Sequence, residues 1–314
     1  MGLIENPKNY TGRDLETIFF RPMVSGQSAV DLGIRTLYNM PVPTTIQMCS
    51  PQSDILKPYS PGWSGGESAV RKQKTIELHK VKAEVGFSAS DYFQQVYELI
   101  TGRADVNMDD LTGSELEQAE TEMFRAAIAE SLRVLMWAGN TRGEEYTLFN
   151  GFITLAEAYL CPMVSFTEST LSSDGAVALF DKMWDAASDT LKSLKGDGNL
   201  VYYVTSNIYD AYERHLDQMG SDAAYTDMVT GRRELSYHGI KIVDMRISHI
   251  LSNKAHICLL TDKRNLALAV NTSDYPGSEV RMWYNPDEME NRQRATFMAG
   301  CEILDESLVV YTRF

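Results

Sequence analysis

The sequence predicts an α+β protein, and three observations carry that reading. Residues 43–87 have the pattern of a long two-stranded β-ribbon. A run from Ser114 to Ala138 has the pattern of one long helix. An α/β stretch then gives way to a second ribbon in the last forty residues. The 314 residues are 44% hydrophobic and 23% charged, enough apolar material for a sizeable core in one large domain or two intimate ones.

The first ribbon has an outgoing arm with Val42, Ile46 and Met48, and its tip is Lys57-Pro58-Tyr59-Ser60-Pro61-Gly62-Trp63-Ser64-Gly65-Gly66. Its return arm runs from Arg71 to Phe87. A lone two-stranded ribbon is marginal in water, so one this long is expected to rest on something else, such as another copy of the chain. Along the return arm Ile76 and Leu78 alternate with Glu77 and His79, then Val81, Ala83, Val85 and Phe87 alternate with Lys80, Lys82, Glu84 and Gly86. The apolar phase slips by one residue at His79-Lys80, which predicts a β-bulge and a bend.

Before the ribbon, residues 1–42 read as an arm punctuated by Pro7, Gly12, Pro22, Gly26, Gly33 and Pro41, with a short helix over Asp14–Phe20. Phe19, Phe20, Met23, Val30, Leu32 and Ile34 make it too apolar to float, so it is expected to lie against a surface. After the ribbon, 91–100 suggests a short helix. Ser114 and Glu117 then fit a capping box, as do Thr112 and Glu115. The long helix spans about 25 residues, roughly 37 Å, with Gly139 expected as its C-cap. Its first half is acidic (Glu115, Glu117, Glu120, Glu122) and its last turns are apolar (Leu132, Val134, Leu135, Met136, Trp137).

Helical spacing of Val177, Phe180, Met183, Trp184, Ala187, Leu191 and Leu194 predicts a helix over 174–194. Leu200–Val204 reads as a buried strand, with a helix from Thr205 or Ser206 to Met219 and strands at 239–247 and 255–260. In the closing ribbon, Val280, Met282 and Tyr284 alternate with Glu279, Arg281 and Trp283. After a loop, Ala295, Phe297, Ala299, Cys301 and Ile303 alternate with Arg294, Thr296, Met298, Gly300 and Glu302, which reads as half-buried antiparallel strands.

No constellation for catalysis emerges. Gly62-Trp63-Ser64-Gly65-Gly66 matches G-x-S-x-G, but a nucleophile elbow needs a buried strand before it and a helix after it, whereas prolines precede this one. His79, His215, His238, His249 and His256 show no metal-ligand spacing and read as structural. Cys49, Cys161, Cys258 and Cys301 form no CxxC and read as free buried thiols of a reducing compartment. No phosphate-binding loop is present, so neither cofactor nor metal is expected. No signal peptide and no membrane span are visible, and Met1 reads as a natural start.

Charge carries more information. The formal net charge is −14, with 43 acidic residues against 29 basic, which argues against a nucleic-acid-binding surface as the main feature. The return arm is nevertheless basic, with Arg71, Lys72, Lys74, Lys80 and Lys82. The stretch from Glu98 to Glu130 carries nine acidic residues (Glu98, Asp105, Asp109, Asp110, Glu115, Glu117, Glu120, Glu122 and Glu130) against Arg103 and Arg125. These are either two separately solvated faces or complementary patches, the ribbon of one copy lying across the acidic region of the next.

The order of parts (apolar arm, extended loop with a Gly/Pro tip, long helix, α/β region, closing ribbon) resembles the tailed-bacteriophage major capsid protein of the Hong Kong 97 type, over essentially the whole chain. Arg125–Asn140 (RAAIAESLRVLMWAGN) is similar to the end of that family's spine helix. Tyr237–Met245 (YHGIKIVDM) resembles a late strand of its axial domain. Leu259–Val270 (LLTDKRNLALAV) resembles its D-x-x-N-L turn and strand, and Asn291–Tyr311 its terminal ribbon.

The resemblance implies an N-terminal arm at 1–42 and an E-loop at 43–88. It implies a peripheral domain from 89–145 with 275–314 and an axial domain at 146–274. It implies a structural protein, not an enzyme, that assembles into the hexamers and pentamers of an icosahedral virion head around double-stranded DNA. Assembly would take place in the host cytoplasm. Its partners would be itself, scaffolding, portal and decoration proteins, and DNA by weak non-specific contact. An acidic inner face suits that role, because each lysine–phosphate contact would add affinity for the DNA. Lacking a long helical N-terminal extension, the chain would need a separate scaffold or an extension removed before Met1, and Met1 as a natural start argues against the second. Lys57, Trp63, Arg71, Lys72, Lys74, Lys80 and Lys82 on the loop, with Glu115, Glu117, Glu120 and Glu122 on the helix, are the expected intersubunit contacts. Some members crosslink a loop lysine to a neighbour's asparagine; Lys57 with Asn285 or Asn291 matches by position only. The alternatives are an encapsulin-like compartment shell, against which the long arm argues, and an α/β enzyme without a recognisable site.

Overall fold

The computed structural model describes residues 28–39, 44–49, 59–62, 71–87, 115–166, 171–219, 225–226, 233–248, 250, 256–271 and 281–314. The expected helices at 14–20 and 91–100, Lys57, Trp63 and His249 lie outside them.

Two five-stranded sheets organise the described chain. The strands before the long helix are β1 (Arg35–Tyr38), β2 (Thr44–Cys49), β3 (Arg71–Ile76) and β4 (His79–Phe87). The helices are α1 (Glu115–Ala138), α2 (Phe152–Ala158), α3 (Ser173–Ala186), α4 (Asp189–Ser193) and, after β5 (Leu200–Val204), α5 (Ser206–Gln218). The later strands are β6 (Tyr225–Thr226), β7 (Arg233–Glu234), β8 (Ser236–Tyr237), β9 (Ile240–Asp244), β10 (Ile257–Asp262), β11 (Leu266–Asn271), β12 (Arg281–Asn285), β13 (Glu290–Ile303) and β14 (Val309–Arg313).

The first sheet is built on β13. It carries β4 along one edge, from Asn291↔Phe87 to Ala299↔His79, and β12 and then β11 along the other. β1 pairs parallel with β11 at its margin. The sequence had suggested only a helix in the arm, yet the arm ends in this strand, and Leu32 and Ile34 just before it are buried. The second sheet runs β14-β10-β5-β9-β8. Strand sharing cuts across the division expected near residue 275. β11 belongs with β13, and β14, the last strand, crosses back to pair with β10.

β5 shows why its sequence lacks alternation. All five residues are buried, with Val201 and Tyr203 in one core and Leu200, Tyr202 and Val204 in another, so neither face meets water. The first core gathers the end of α1, α2 and both sheets around Trp137, whose ring lies 4.9 Å from Tyr203 and 5.5 Å from Phe152. The second packs α3 and α5 on the far face, where Phe180 meets Tyr202, Tyr212 and Tyr237 at 5.0–5.3 Å. β13 is likewise less alternating than expected. From Ala295 onward both faces are buried save for the half-buried Met298, Thr296 and Glu302 included, because α1 and α2 cover one face and the foot of the ribbon approaches the other.

The helix expected over 174–194 is two helices. Ala187 turns extended, and the Ser188 hydroxyl accepts the Leu191 N–H at 3.2 Å to start α4. A serine N-cap inside an apolar periodicity is the signal that the periodicity alone hides. α1 ends at Ala138 as expected, but Gly139 is not a left-handed cap. Among the described residues the left-handed glycines are Gly33, Gly62, Gly198 and Gly239. Gly139 is required for closeness instead: a Cβ there would meet the Phe149 carbonyl at 2.4 Å.

The lone ribbon of 43–87 also needs correction. β3 pairs with β2 from Cys49↔Arg71 to Thr44↔Ile76, but beyond Glu77-Leu78 the chain changes partner and β4 joins the main sheet. The phase slip read as a bulge marks this switch. It happens where the Glu77 carbonyl would sit 2.1 Å from a Cβ on residue 300, a place only Gly300 leaves open.

Candidate functional site

The foot of the ribbon is the best-built polar site among the described residues. Facing pairs put Thr44, Ile46 and Met48 of β2 on one face with Ile76, Lys74 and Lys72 of β3. At the base of this face Ile46 and Ile76 are buried against Ala267, Ala269 and Leu304, with Met48 packed alongside. The ribbon therefore rests first on its own subunit. The opposite face carries Thr45 and Thr75, exposed and joined by their hydroxyls at 3.4 Å.

Lys74 comes next on the inward face, and it meets side chains from three other segments. Its Nζ lies 2.6 Å from Glu306 Oε1, 3.7 Å from Glu302 Oε1 and 3.9 Å from the centre of the Tyr159 ring. The Tyr159 hydroxyl donates to Glu302 Oε1 at 2.6 Å, and the Ile303 N–H donates to the same oxygen at 3.1 Å. This redirects the sequence reading, which assigned Lys74 to a neighbouring subunit. Tyr159, Glu302 and Glu306 were not foreseen. Glu302 sits on the face of β13 that the alternation labelled polar, and nothing local links residues 74 and 302.

Of the other expected contacts, Lys72 and Glu122 are exposed, and Lys82 pairs with Glu84 of its own strand at 2.7 Å. Lys80 is also exposed and already has interactions within the chain. Arg71 is in β3, and Glu115, Glu117 and Glu120 are in the first turns of α1. Asn285 pairs with Glu290 and Asn291 with Tyr284 across β12 and β13, which puts the two asparagines on opposite faces, and Asn291 is buried. Burial argues against Asn291 as a crosslink acceptor. Of the G-x-S-x-G tip, Gly62 is described and is left-handed (φ 91°), as a turn requires. Cys161, Cys258 and Cys301 are buried and unbridged, and burial raises each thiol above its ordinary range, Cys161 to about 11. Among the described residues no acidic, histidine and cysteine side chains cluster as metal ligands, and no helix is long and apolar enough to cross a membrane.

The two carboxylates beside Lys74 are shifted in opposite directions. Burial raises Glu302, and the bonds from Tyr159 and Ile303 and the charge of Lys74 offset this only in part. Glu306 is lowered: its smaller burial works upward, but the Lys74 hydrogen bond and its own backbone outweigh it. A carboxyl raised in the folded state binds its proton more tightly there than in the unfolded chain. Its contribution to stability therefore falls as pH rises from the ordinary value of 4.5 through the folded value. Denaturant unfolding should show wild type gaining stability relative to Glu302→Gln as pH falls from neutral toward 4.5. A difference independent of pH would contradict the assignment.

No protein-family model matches the sequence, and comparison with curated proteins returns no match. Solved structures match in fold. The capsid of an empty GTA particle is 12% identical at a TM-score of 0.56, over 94% of this chain and 99% of that one. A chain from Gordonia phage Cozz is 11% identical at 0.59, over 98% and 91%. The satellite phage P4 procapsid, which includes a size determination protein, is 9% identical at 0.58, over 91% and 94%. At such identities the likeness is one of fold, and across nearly its whole length this chain has the capsid fold of the Hong Kong 97 type.

Proposed function

We propose that the chain is the major shell protein of a tailed-phage-type particle. It would assemble into the hexamers and pentamers of an icosahedral head that encloses double-stranded DNA, and reside in the virion after assembly in the host cytoplasm. The carrying observation is the match in fold to capsid chains along almost the entire length of both partners. An ordered ribbon anchored at its foot and leading to an exposed lysine supports the same reading. On this proposal the β5–β10–β14 sheet with α3 and α5 forms the axial part, and the β13 sheet with α1 forms the peripheral part. Scaffolding, portal and decoration proteins would be its partners, and contact with DNA would be weak because the chain is so acidic.

The purified chain should form capsomers or closed particles by size exclusion and negative-stain microscopy. A monomer stable at all concentrations and salts would overturn the proposal. The contact between ribbon and helix has its own test. Because Lys74 serves its own subunit, Lys72 is the informative ribbon cation and Glu122 the informative acid. Lys72→Glu should reduce the assembled fraction several-fold, and adding Glu122→Lys should restore it if the two patches meet across subunits. Assembly unchanged in Lys72→Glu would remove the ribbon-to-helix contact while leaving the shell reading intact.

A further inference from the structure

We propose that Lys74, Glu302, Glu306 and Tyr159 form an intrasubunit tether that fixes the angle at which the β2–β3 ribbon leaves the subunit, so that Lys74 governs shell geometry through its own chain. The inference rests on the shell reading for its consequence, though not for the tether itself.

Two kinds of contact meet at the ribbon's foot. The apolar one, Ile46 and Ile76 on Ala267, Ala269 and Leu304, is non-directional and permits the ribbon to rock. The polar one is directional. Lys74 lies two residues beyond Ile76, facing Ile46, and reaches a carboxylate of β13, a carboxylate of the 3₁₀ turn Glu306–Leu308 and the face of an aromatic ring at the end of α2. Those groups are themselves held. Glu302 is fixed by the Tyr159 hydroxyl and the Ile303 N–H. The turn bearing Glu306 is capped by Asp305, whose carboxylate accepts the Ser307 N–H at 3.0 Å and whose own N–H donates to Asn265 at 2.7 Å. A cation placed between supports that are themselves fixed resists displacement in more than one direction. Just past Ile76, backbone crowding at Gly300 prevents the crossing strand from sliding. Lys72, the next inward-facing residue of the return arm toward the tip, is exposed, so among the described residues the tether is the last polar self-contact seen on that face of β3, with Met48 opposite Lys72 continuing the apolar one. A small change of angle there is magnified along the rest of the loop.

Hydrogen–deuterium exchange on the full-length chain in its unassembled form reads the tether directly. Lys74→Met and Glu306→Gln should each speed exchange of residues 44–49 and 71–76 by about fivefold, with α1 and β13 unchanged, and Lys74→Arg should restore protection. Cryo-electron microscopy of particles then reads the consequence: Lys74→Met should broaden the diameter distribution or yield open and tubular forms, and Lys74→Arg should not. Wild-type exchange in Lys74→Met overturns the tether, whatever the particles look like. Faster ribbon exchange with wild-type particle diameters overturns its role in shell geometry. Absence of particles from wild type counts against the shell reading alone, since the exchange result still decides the tether. Because Glu306 is at the surface and half of its role is duplicated by Glu302, Glu306→Gln keeps the test decisive if Lys74→Met fails to fold.

Discussion

Replacing Arg133 by methionine should cost the folded chain about 3 kcal/mol of stability, the largest loss expected from a single polar side chain among the described residues. Arg133 is 6% exposed, on the buried flank of α1. Its Nε donates to Glu130 Oε2 at 2.8 Å, its Nη2 donates to the Arg246 carbonyl at 3.2 Å, and its Nη1 donates to the Met245 carbonyl. Those carbonyls follow β9 at the end of the second sheet, where Arg246 is left-handed (φ 53°) and the Met245 N–H is taken by Val204 of β5. One guanidinium thus joins the long helix to the turn that ends β9. Methionine keeps the volume and loses the donors, leaving two carbonyls short of charged partners and Glu130 without this cation. Lysine should recover only part of the loss, because one ammonium cannot span a carboxylate and two carbonyls in a fixed fork. Urea midpoints of wild type, Arg133→Met and Arg133→Lys check this, and a loss below about 1 kcal/mol for methionine would show that the joint is held by packing alone.

Gly151→Ala should be more damaging still, costing more than about 3 kcal/mol or yielding insoluble protein. A Cβ at Gly151 would meet the Trp137 carbonyl at 2.6 Å, the Gly139 nitrogen at 2.7 Å and the Leu135 carbonyl at 2.7 Å. All three are backbone atoms at the end of α1, so no side chain can rotate away. The chain passes here so closely that the Gly151 N–H donates to the Gly139 carbonyl at 2.8 Å. Forcing the two apart would displace Trp137 and Phe152, both fully buried in the first core. Gly196→Ala is the matched control. A Cβ there meets nothing within 4 Å, and the backbone is not left-handed. Its midpoint should stay within about 0.5 kcal/mol of wild type, and equal effects at the two glycines would refute the crowding argument.

Local pattern carried a good part of the fold. The 3.6-residue period and the acidic start of α1, the uniformly apolar Leu200–Val204, and the two alternating runs of the closing ribbon are each set by neighbours in sequence, and each forms the element they predict. The order of those elements is enough to resemble a capsid chain. Elsewhere the same local signals were overruled. An apolar phase slip has two physical causes, a bulge or a change of partner, and residues 76–81 alone do not distinguish them; Gly300, more than two hundred residues later, does.

The candidate site shows the same limit more sharply. The basic character of the return arm was plain, but the destination of each charge was not. A lysine on a ribbon seeks whichever carboxylate the fold brings near. For Lys74 that is Glu306, 232 residues away in sequence, and not the acidic helix forty residues on. Periodicity, capping and net charge act over a turn or a strand, so sequence alone determined the elements, their order and the overall sign of the charge. Which strands share a sheet, where two glycines must touch, and which cation holds the ribbon depend on contacts between distant segments. Those were decided only when burial drove the segments into one core and left each polar group to find its partner there.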